Sequence, residues 1–404
     1  MANSLSGKRR QHPIDRVRLA SAGLTGRASG AAESLRVMHV YKDVYPPVVG
    51  GIEKQIDALR REMPDVVSHV LVCARGPRTR IARVHGGLEV RVAELGRRWL
   101  SVPVAPTFPV WVRRIEADLI HLHMPNPTGE LAVLLAGGDR PMVASYHGDI
   151  VRQARFERAY RPLADACLNR SSTIIVGTRG LAESSPALRR HAAKLNVIPH
   201  TVDVGRFRLD AVPGERRDAL RDRYGEPLVI AVGRLVYYKG YEHLIDAARG
   251  LDAAVVVVGS GPERERLLAR TRGVDNVHFV GELEESDLIA HLAAGDCFAL
   301  ASSSRAESFG IAAAEAQAME LPAVVADTGA GTAEAIEDGV TGLVVTPGDP
   351  GAMRDALSSL LADEGRRRAM GAAARERVVA RHALPDRARD VREVYDRAVR
   401  SAPG

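Results

Sequence analysis

One pattern recurs along the chain and limits what it can fold into: a short apolar run, a loop carrying glycine, then a segment with helical spacing. "LRVMHVY" (35–41) reads as a buried strand, and "GGIEKQIDALRREM" (50–63) as the helix after it, with Ile52, Ile56 and Leu59 on one face. "VSHVLVCA" (67–74), "LEVRVAEL" (88–95), "LIHLH" (119–123), "PMVASYH" (141–147) and "STIIVGT" (172–178) read as further strands. A second series follows Arg217: "LVIAVG" (228–233), "AAVVVVG" (253–259), "VHFVG" (277–281), "CFALAS" (297–302), "AVVAD" (323–327) and "GLVVT" (342–346). Such alternation predicts an open parallel sheet with helices on both faces, and its doubling predicts an α/β chain of two doubly wound, Rossmann-like domains.

The domain boundaries follow. Residues 1–34 are rich in Ser, Gly and Arg with almost no hydrophobic periodicity, and read as a disordered basic tail. Residues 35–200 form the first domain, and "NVIPHTVDVGRFRLDAVPGERR" (196–217), broken by Pro199, Gly205 and Pro213, links it to the second, 201–385. In the last segment, 386–404, Ala388, Val391, Tyr395 and Ala398 recur at helical spacing, enough for a helix that docks back on the first domain.

With 404 residues, 46% of them hydrophobic, the chain can bury a core in each domain. No apolar run approaches the roughly 18–20 residues that cross a bilayer, and the start lacks the apolar middle of a secretory signal. A cytoplasmic protein is expected. Cys73, Cys167 and Cys297 are an odd number and far apart, so they read as buried, reduced thiols. No HExxH, no paired Cys/His spacing and no Asp-x-Asp triplet is read in the chain, so no metal is expected.

The net charge of +6 is unevenly divided: residues 35–200 carry 24 Lys/Arg against 15 Asp/Glu, and residues 201–404 carry 26 against 33. A basic first lobe suits an anionic partner. Aromatics do not interleave with the arginines, so nucleic acid is not expected. "RGPRTRIARVHGG" (75–87), "GRRWL" (96–100) and Arg152, Arg155, Arg158 and Arg161, three residues apart, motivate an expectation of peripheral contact with an anionic membrane.

Ligands of an open parallel sheet sit beyond the carboxyl ends of its strands, so the residues after each strand carry the chemistry. Gly50 and Gly51 open a helix and let its backbone approach a diphosphate. "VVVVGSGPERE" (255–265) has the first two glycines of a dinucleotide fingerprint but Arg264 in place of the third. Gly259 and Gly261 therefore read as lining a nucleotide pocket, without NAD. In "AVGRLVYYKG" (231–240), Arg234 and Lys239 place two cations at a sheet edge, as the charge on a departing nucleoside diphosphate requires. "RAESFGIAAAEAQAM" (305–319) brings Glu307 to the crevice rim, starts a helix near Gly310 with free amides, and holds Glu315 near that end. Carboxylates accept paired hydrogen bonds from vicinal hydroxyls. Glu307 suits those of a sugar and Glu315 those of a ribose, with the helix end between them for phosphates.

Taken in order, Gly50-Gly51-Ile52-Glu53, "SYHGDIVRQ" around His147, the "NVIPHTVDVGRF" linker, Arg234 with Lys239, "VGSGPERERL", and Glu307 and Glu315 followed by "LPAVVADTGAGTAEAIEDGVTGLVVTPGD" resemble family 4 of the retaining glycosyltransferases. The likeness runs from about residue 35 to the end. It implies a GT-B fold, two lobes facing across a cleft, the second holding a nucleotide-sugar and the first shaping the acceptor site, with no required metal. It also implies that Arg234 and Lys239 clamp the diphosphate, Glu315 meets the ribose, and Glu307 with the amides of Phe309, Gly310 and Ile311 meets the sugar hydroxyls. His147 resembles the first-lobe histidine that meets the donor sugar, and Gly51 the loop touching the phosphates. Two positions depart from the pattern: Thr201 replaces the usual glycine of the linker motif, and "GAGTAE" (329–334), with Thr332 and Glu334, varies a Gly-Gly-x-x-Glu loop.

The resemblance implies a retaining transferase that moves a hexose-type sugar from a UDP- or GDP-linked donor to a hydroxyl of a carbohydrate, lipid-linked or small-molecule acceptor. That chemistry belongs to cell-envelope polysaccharide, glycolipid or secondary-metabolite glycoside synthesis. The alternatives are a nucleotide-sugar epimerase, a phosphorylase of the same fold, or a non-catalytic nucleotide-sugar binder. "HGDIVRQ" resembles bacterial mannosyl- and rhamnosyl-type enzymes, which points toward GDP, while UDP-sugars are as common in the family.

Overall fold

The computed structural model describes residues 34–401 except 49, 97, 99–101 and 151–153, so the tail expected over 1–34 falls almost wholly outside the described residues. The first sheet holds β1 (Leu35–Val40), β2 (Val66–Cys73), β3 (Arg80–Val84), β4 (Gly87–Val92), β5 (Leu119–Met124), β6 (Met142–Tyr146), β7 (Thr173–Val176) and β8 (Leu195–Val197). Their order is β3-β4-β2-β1-β5-β6-β7-β8. The second sheet holds β9 (Leu228–Val232), β10 (Ala254–Val258), β11 (Val277–Gly281), β12 (Cys297–Leu300), β13 (Ala323–Ala326) and β14 (Gly342–Val345) in the order β11-β10-β9-β12-β13-β14. All neighbours run parallel except β3 and β4. These are two doubly wound, Rossmann-like sheets. The strand order reverses between β1 and β5 and between β9 and β12, and such switch points open the crevices where ligands sit.

Two strands were not expected. "RIARV" exposes Arg80 and Arg83 and half-buries Ile81, Ala82 and Val84 at the sheet edge, and reads misleadingly as a charge patch. It pairs antiparallel with β4 across His85 and Gly86, both at positive φ (49° and 79°) as a tight two-residue hairpin turn requires. Part of the basic stretch 75–87 is thus a structural hairpin. The short β8 closes the far edge.

The last helix, Leu384–Arg400, returns to the first lobe. Its Ala388, Val391, Tyr395 and Ala398 pack with Val37, Leu119, Val143 and Ile175 of the first sheet. Burying each side chain of valine size contributes about 1.5–3 kcal/mol relative to leaving it in water, so the contact is a strong tether. The preceding helix, Glu364–His382, gives Met370 and Val378 to the cores of the second lobe, and the chain crosses between lobes at Ala383. There Val202 N donates to the His382 carbonyl (2.8 Å).

The linker departure has a structural use. Thr201 donates from its amide and its hydroxyl to Gln55 Oε1 (2.9 and 2.7 Å) and accepts Gln55 Nε2 on its carbonyl (2.7 Å), tying the linker to the helix Gly51–Glu62. A glycine there would lose the hydroxyl contact. All three cysteines are buried and unpaired, and burial pushes the Cys73 and Cys297 thiols up to about 12, so they stay protonated. Among the described residues no helix is long and apolar enough to cross a membrane.

Candidate active site

The carboxyl edges of the two sheets face each other, and the loops after β1, β6, β9 and β12 meet between them. Lys239 ends a short 3-10 turn, Tyr237–Lys239, after β9. Gly240 follows at φ 64°, where a Cβ would lie 1.9 Å from the Ala301 carbonyl oxygen, so only glycine lets this turn lie against the loop after β12. Ser303 N donates to the Tyr238 carbonyl (2.9 Å) and joins the two loops. The result is an ion pair between Lys239 Nζ and Glu307 Oε2 at 2.7 Å, with side-chain exposures of 13% and 12%. Burial works to lower the Lys239 pKa, but the Glu307 carboxylate outweighs it and holds the ammonium above its ordinary value. The cation is therefore permanent, and its partner is a carboxylate that a sugar's hydroxyls could equally engage.

Gly310 takes φ 85° and starts the helix Ile311–Ala318, while Phe309 buries its ring, centred 5.3 Å from that of His200 and 5.2 Å from that of His382. The Phe309 side chain thus anchors the linker. Across the cleft, a Cβ on Gly51 would lie 2.8 Å from Ile311 Cδ1, so the amino ends of Gly51–Glu62 and Ile311–Ala318 stand face to face. Two helix amino ends with unsatisfied amides make the space between them favourable to negative charge. Glu315, one turn farther in, has its pKa raised by burial, against the pull of Lys54 from the opposite lobe. Arg234 is exposed just beyond β9, and its charge acts on Lys42 and Tyr238.

His147 follows β6. Its amide donates to the Met124 carbonyl (3.0 Å), and its carbonyl accepts from Ser308 Oγ of the opposite lobe (2.7 Å). Burial, with the neighbouring His200, His121 and Lys42, holds its ring well below the usual imidazole range. Gly50 precedes the first helix, and a Cβ there would strike the Glu53 carboxylate at 2.2 Å.

Lys239, Glu307, Gly310, Ile311, Gly51 and His147 therefore converge. At Gly259 and Gly261 a Cβ would collide with the backbone of Gly233 (2.1 Å) or Leu235 (2.4 Å). Their bareness lets the loops after β9 and β10 pack together, which positions the turn bearing Lys239. Glu334 faces the first lobe, where the amides of Arg179 and Gly180 donate to its two oxygens (3.0 and 2.6 Å). Thr332 stays inside its own loop, donating to the Ala326 carbonyl (2.8 Å). Of the basic stretches, Arg75 and Arg98 both pair with Asp43 (2.8 and 2.9 Å). Arg158 and Arg161 are exposed on the helix Ala154–Arg170, and Arg152 lies outside the described residues.

The sequence reading passed over a buried row of histidines. The H-x-H of His121 and His123 puts both rings on one face of β5, beside His39, which is His121's register partner in β1. The signal was present as two histidines at strand spacing inside an apolar run.

Two Rossmann-like lobes set edge to edge over such a cleft define the GT-B class. A sucrose-phosphate synthase from Thermosynechococcus elongatus superposes on the fold with a TM-score of 0.76 at 20% identity, over 90% of this chain and 98% of that one. The Glycosyltransferase Family 4 model matches residues 49–206, and the model for glycosyl transferases group 1 matches residues 214–377. D-rhamnosyltransferase WbpZ of Pseudomonas aeruginosa is 32% identical over 80% of this chain and 86% of its own length. A GDP-mannose-dependent alpha-(1-6)-phosphatidylinositol monomannoside mannosyltransferase of Mycobacterium tuberculosis is 36% identical over 68% of this chain and 76% of its own. The chain belongs to the family 4, group 1 glycosyltransferases and is a glycosyltransferase.

The buried histidines carry a stability consequence. Burial pushes His121 down to about 3 and His200 to about 4, and holds His39 and His123 well below the usual range. Unfolded, each would take a proton near pH 6.5 that the folded protein refuses, so stability is full above that pH and is lost as the pH falls toward 4. Each such residue contributes a slope of up to about 1.4 kcal/mol per pH unit. Urea unfolding between pH 7 and 5 should show stability falling with a slope of more than one proton; a flat profile over that window contradicts neutral burial.

Proposed function

We propose that the chain transfers a mannose- or rhamnose-type hexose from a GDP-linked donor to a sugar hydroxyl, with retention at the anomeric carbon. The observation that carries this reading is the Lys239–Glu307 pair at 2.7 Å beside two opposed helix amino ends. A nucleotide-sugar offers both halves of what that pair lacks, since its diphosphate suits Lys239 and Arg234 and its hydroxyls suit Glu307. Glu315 would hold the ribose, and His147 would meet the donor sugar. Relatives named for D-rhamnosyl transfer, for mannosyl transfer and for GDP-mannose-dependent mannosyl transfer support the choice of donor.

In this reading the bond between the anomeric carbon and the diphosphate oxygen breaks while the acceptor oxygen bonds to the same face. The acceptor's proton passes to a diphosphate oxygen. Lys239 and Arg234 meet the charge that builds on the leaving group, so catalysis is orientation and charge stabilisation. No metal takes part in the proposed scheme. Removing a preorganised charge of this kind costs roughly 10²–10³ in turnover. Lys239→Ala should therefore lose at least that much kcat with GDP-mannose or GDP-rhamnose while its circular dichroism stays native, and GDP should raise the wild-type melting temperature more than UDP. Near wild-type turnover in Lys239→Ala would refute the clamp, and stabilisation by UDP alone would overturn the choice of donor.

The acceptor is proposed to be a lipid-linked or polysaccharide hydroxyl presented at an anionic membrane. Support comes from exposed Arg158 and Arg161 and from exposed Leu95, Val104, Val110, Leu131 and Leu135, all in the first lobe. The protein should sediment with anionic vesicles at low salt and lose that binding in Arg158→Glu/Arg161→Glu. Absence of sedimentation removes the membrane from the scheme.

A further inference from the structure

Behind His147 lies a line of hydrogen-bonded rings that glycosyl transfer, as described above, does not use. His147 Nε2 faces His123 Nδ1 at 3.1 Å, the two rings nearly parallel at 7° with centroids 5.4 Å apart. His123 Nε2 faces His39 Nδ1 at 3.2 Å. The line stops there, because His39 Nε2 is buried without a partner. At the other end, His147 Nδ1 has no hydrogen bond among the described residues and is not among the buried, unpartnered atoms, so it borders open space.

His121 stacks on His123 with centroids 4.2 Å apart but stays out of the line. Its two nitrogens meet the hydroxyls of Tyr395 and Ser145, each at 2.7 Å, which can donate or accept as required. Ring nitrogens of His39, His121 and His123 lie within 4.8 Å of one another, a spacing a cation could also use. Five of those six nitrogens already hold hydrogen-bond partners, however, and a cation would have to break some of these bonds.

A neutral imidazole has one N–H and one lone pair, so three such rings in line must all point their protons the same way. If the protons pointed inward, His39 Nε2 would be a buried N–H with no acceptor. If they point outward, that same atom is a bare lone pair. An orphaned buried N–H is the rarer defect. Burial keeps the rings neutral, which is the condition the argument needs.

We propose that His39 and His123 are positioning residues that hold His147 as its Nδ1–H tautomer, so that it offers a hydrogen-bond donor, and not a base, to the donor sugar in the cleft. The order is His39 Nδ1–H to His123 Nε2, His123 Nδ1–H to His147 Nε2, and His147 Nδ1–H to a sugar oxygen. Its catalytic part rests on the placement of His147 against the sugar proposed above; the tautomer itself does not.

The test uses the full chain labelled with 15N-histidine. Long-range proton–nitrogen spectra at pH 7.5 should show His147 protonated on Nδ1 and bare on Nε2. His39→Asp puts an acceptor-only carboxylate where Nδ1–H donated and so reverses the line, with His123 Nε2–H to the carboxylate and His147 Nε2–H to His123 Nδ1. His147 Nδ1 should then be bare, and kcat should fall by about tenfold, one hydrogen bond's worth, at an unchanged donor KM. His39→Asn, whose amide can donate in place of Nδ1–H, should keep the wild-type tautomer and kcat. A wild-type His147 protonated on Nε2 overturns the inference, and that spectrum decides even where His39→Asp does not fold. An unchanged tautomer in His39→Asp overturns the positioning role, and a shifted tautomer with unaltered kcat overturns the placement of His147 against the sugar.

Discussion

The arrangement depends on one ion pair. An ammonium and a carboxylate, each about seven-eighths shielded from water, tolerate that position because they face each other at 2.7 Å. Neither could be removed without leaving the other unpaired in a largely closed cleft. The surrounding backbone exists to keep them there: Gly240 lets the Lys239 turn touch residue 301, Gly259 and Gly261 let the next loop close over Gly233 and Leu235, and Thr328 donates to the Glu307 carbonyl (3.0 Å). Glycine in this lobe supplies the backbone clearance that aims one lysine.

The second condition is that the lobes hold their edges together. Polar contacts do part of this: Ser308 with the His147 carbonyl, Glu334 with the amides of Arg179 and Gly180, and Arg305 with Ser184 (2.8 Å). Each such neutral or rim contact contributes little net stability. The larger share falls to the last helix, whose apolar face lies on the first sheet although the chain reaches it from the second lobe. Tyr395 joins that tether to the histidine row through His121, so the same packing that fixes the lobes also seals the rings behind the cleft from water.

The parallel sheets were legible because a strand covered on both faces is an unbroken apolar run, as "AVVVV" in β10 shows. Ends were placed one or two residues long where glycine or serine follows, since those residues still look strand-compatible; the run expected at 297–302 stops at Leu300. β3 was missed because its two exposed arginines mimic a charge patch, and the hairpin turn at His85 and Gly86 betrays it. Among the candidate site residues, Lys239, Glu307 and His147 were legible from motifs that follow strands. Glu334 and Thr201 were not, because their partners, the amides at 179 and 180 and Gln55, are about 150 residues away in sequence. The histidine row was hidden in the same way, being assembled from β1, β5 and β6 by strand register alone.

Amide hydrogen exchange at the two opposed helix starts tests the central claim most directly. With saturating GDP-mannose, exchange should slow at Gly51 and its neighbours and at Phe309, Gly310 and Ile311 together, because both amino ends would donate to one bound molecule. Unchanged exchange at both places under conditions where the nucleotide-sugar is bound would put the donor elsewhere and contradict the cleft between the lobes, bordered by Lys239 and Glu307, as its seat.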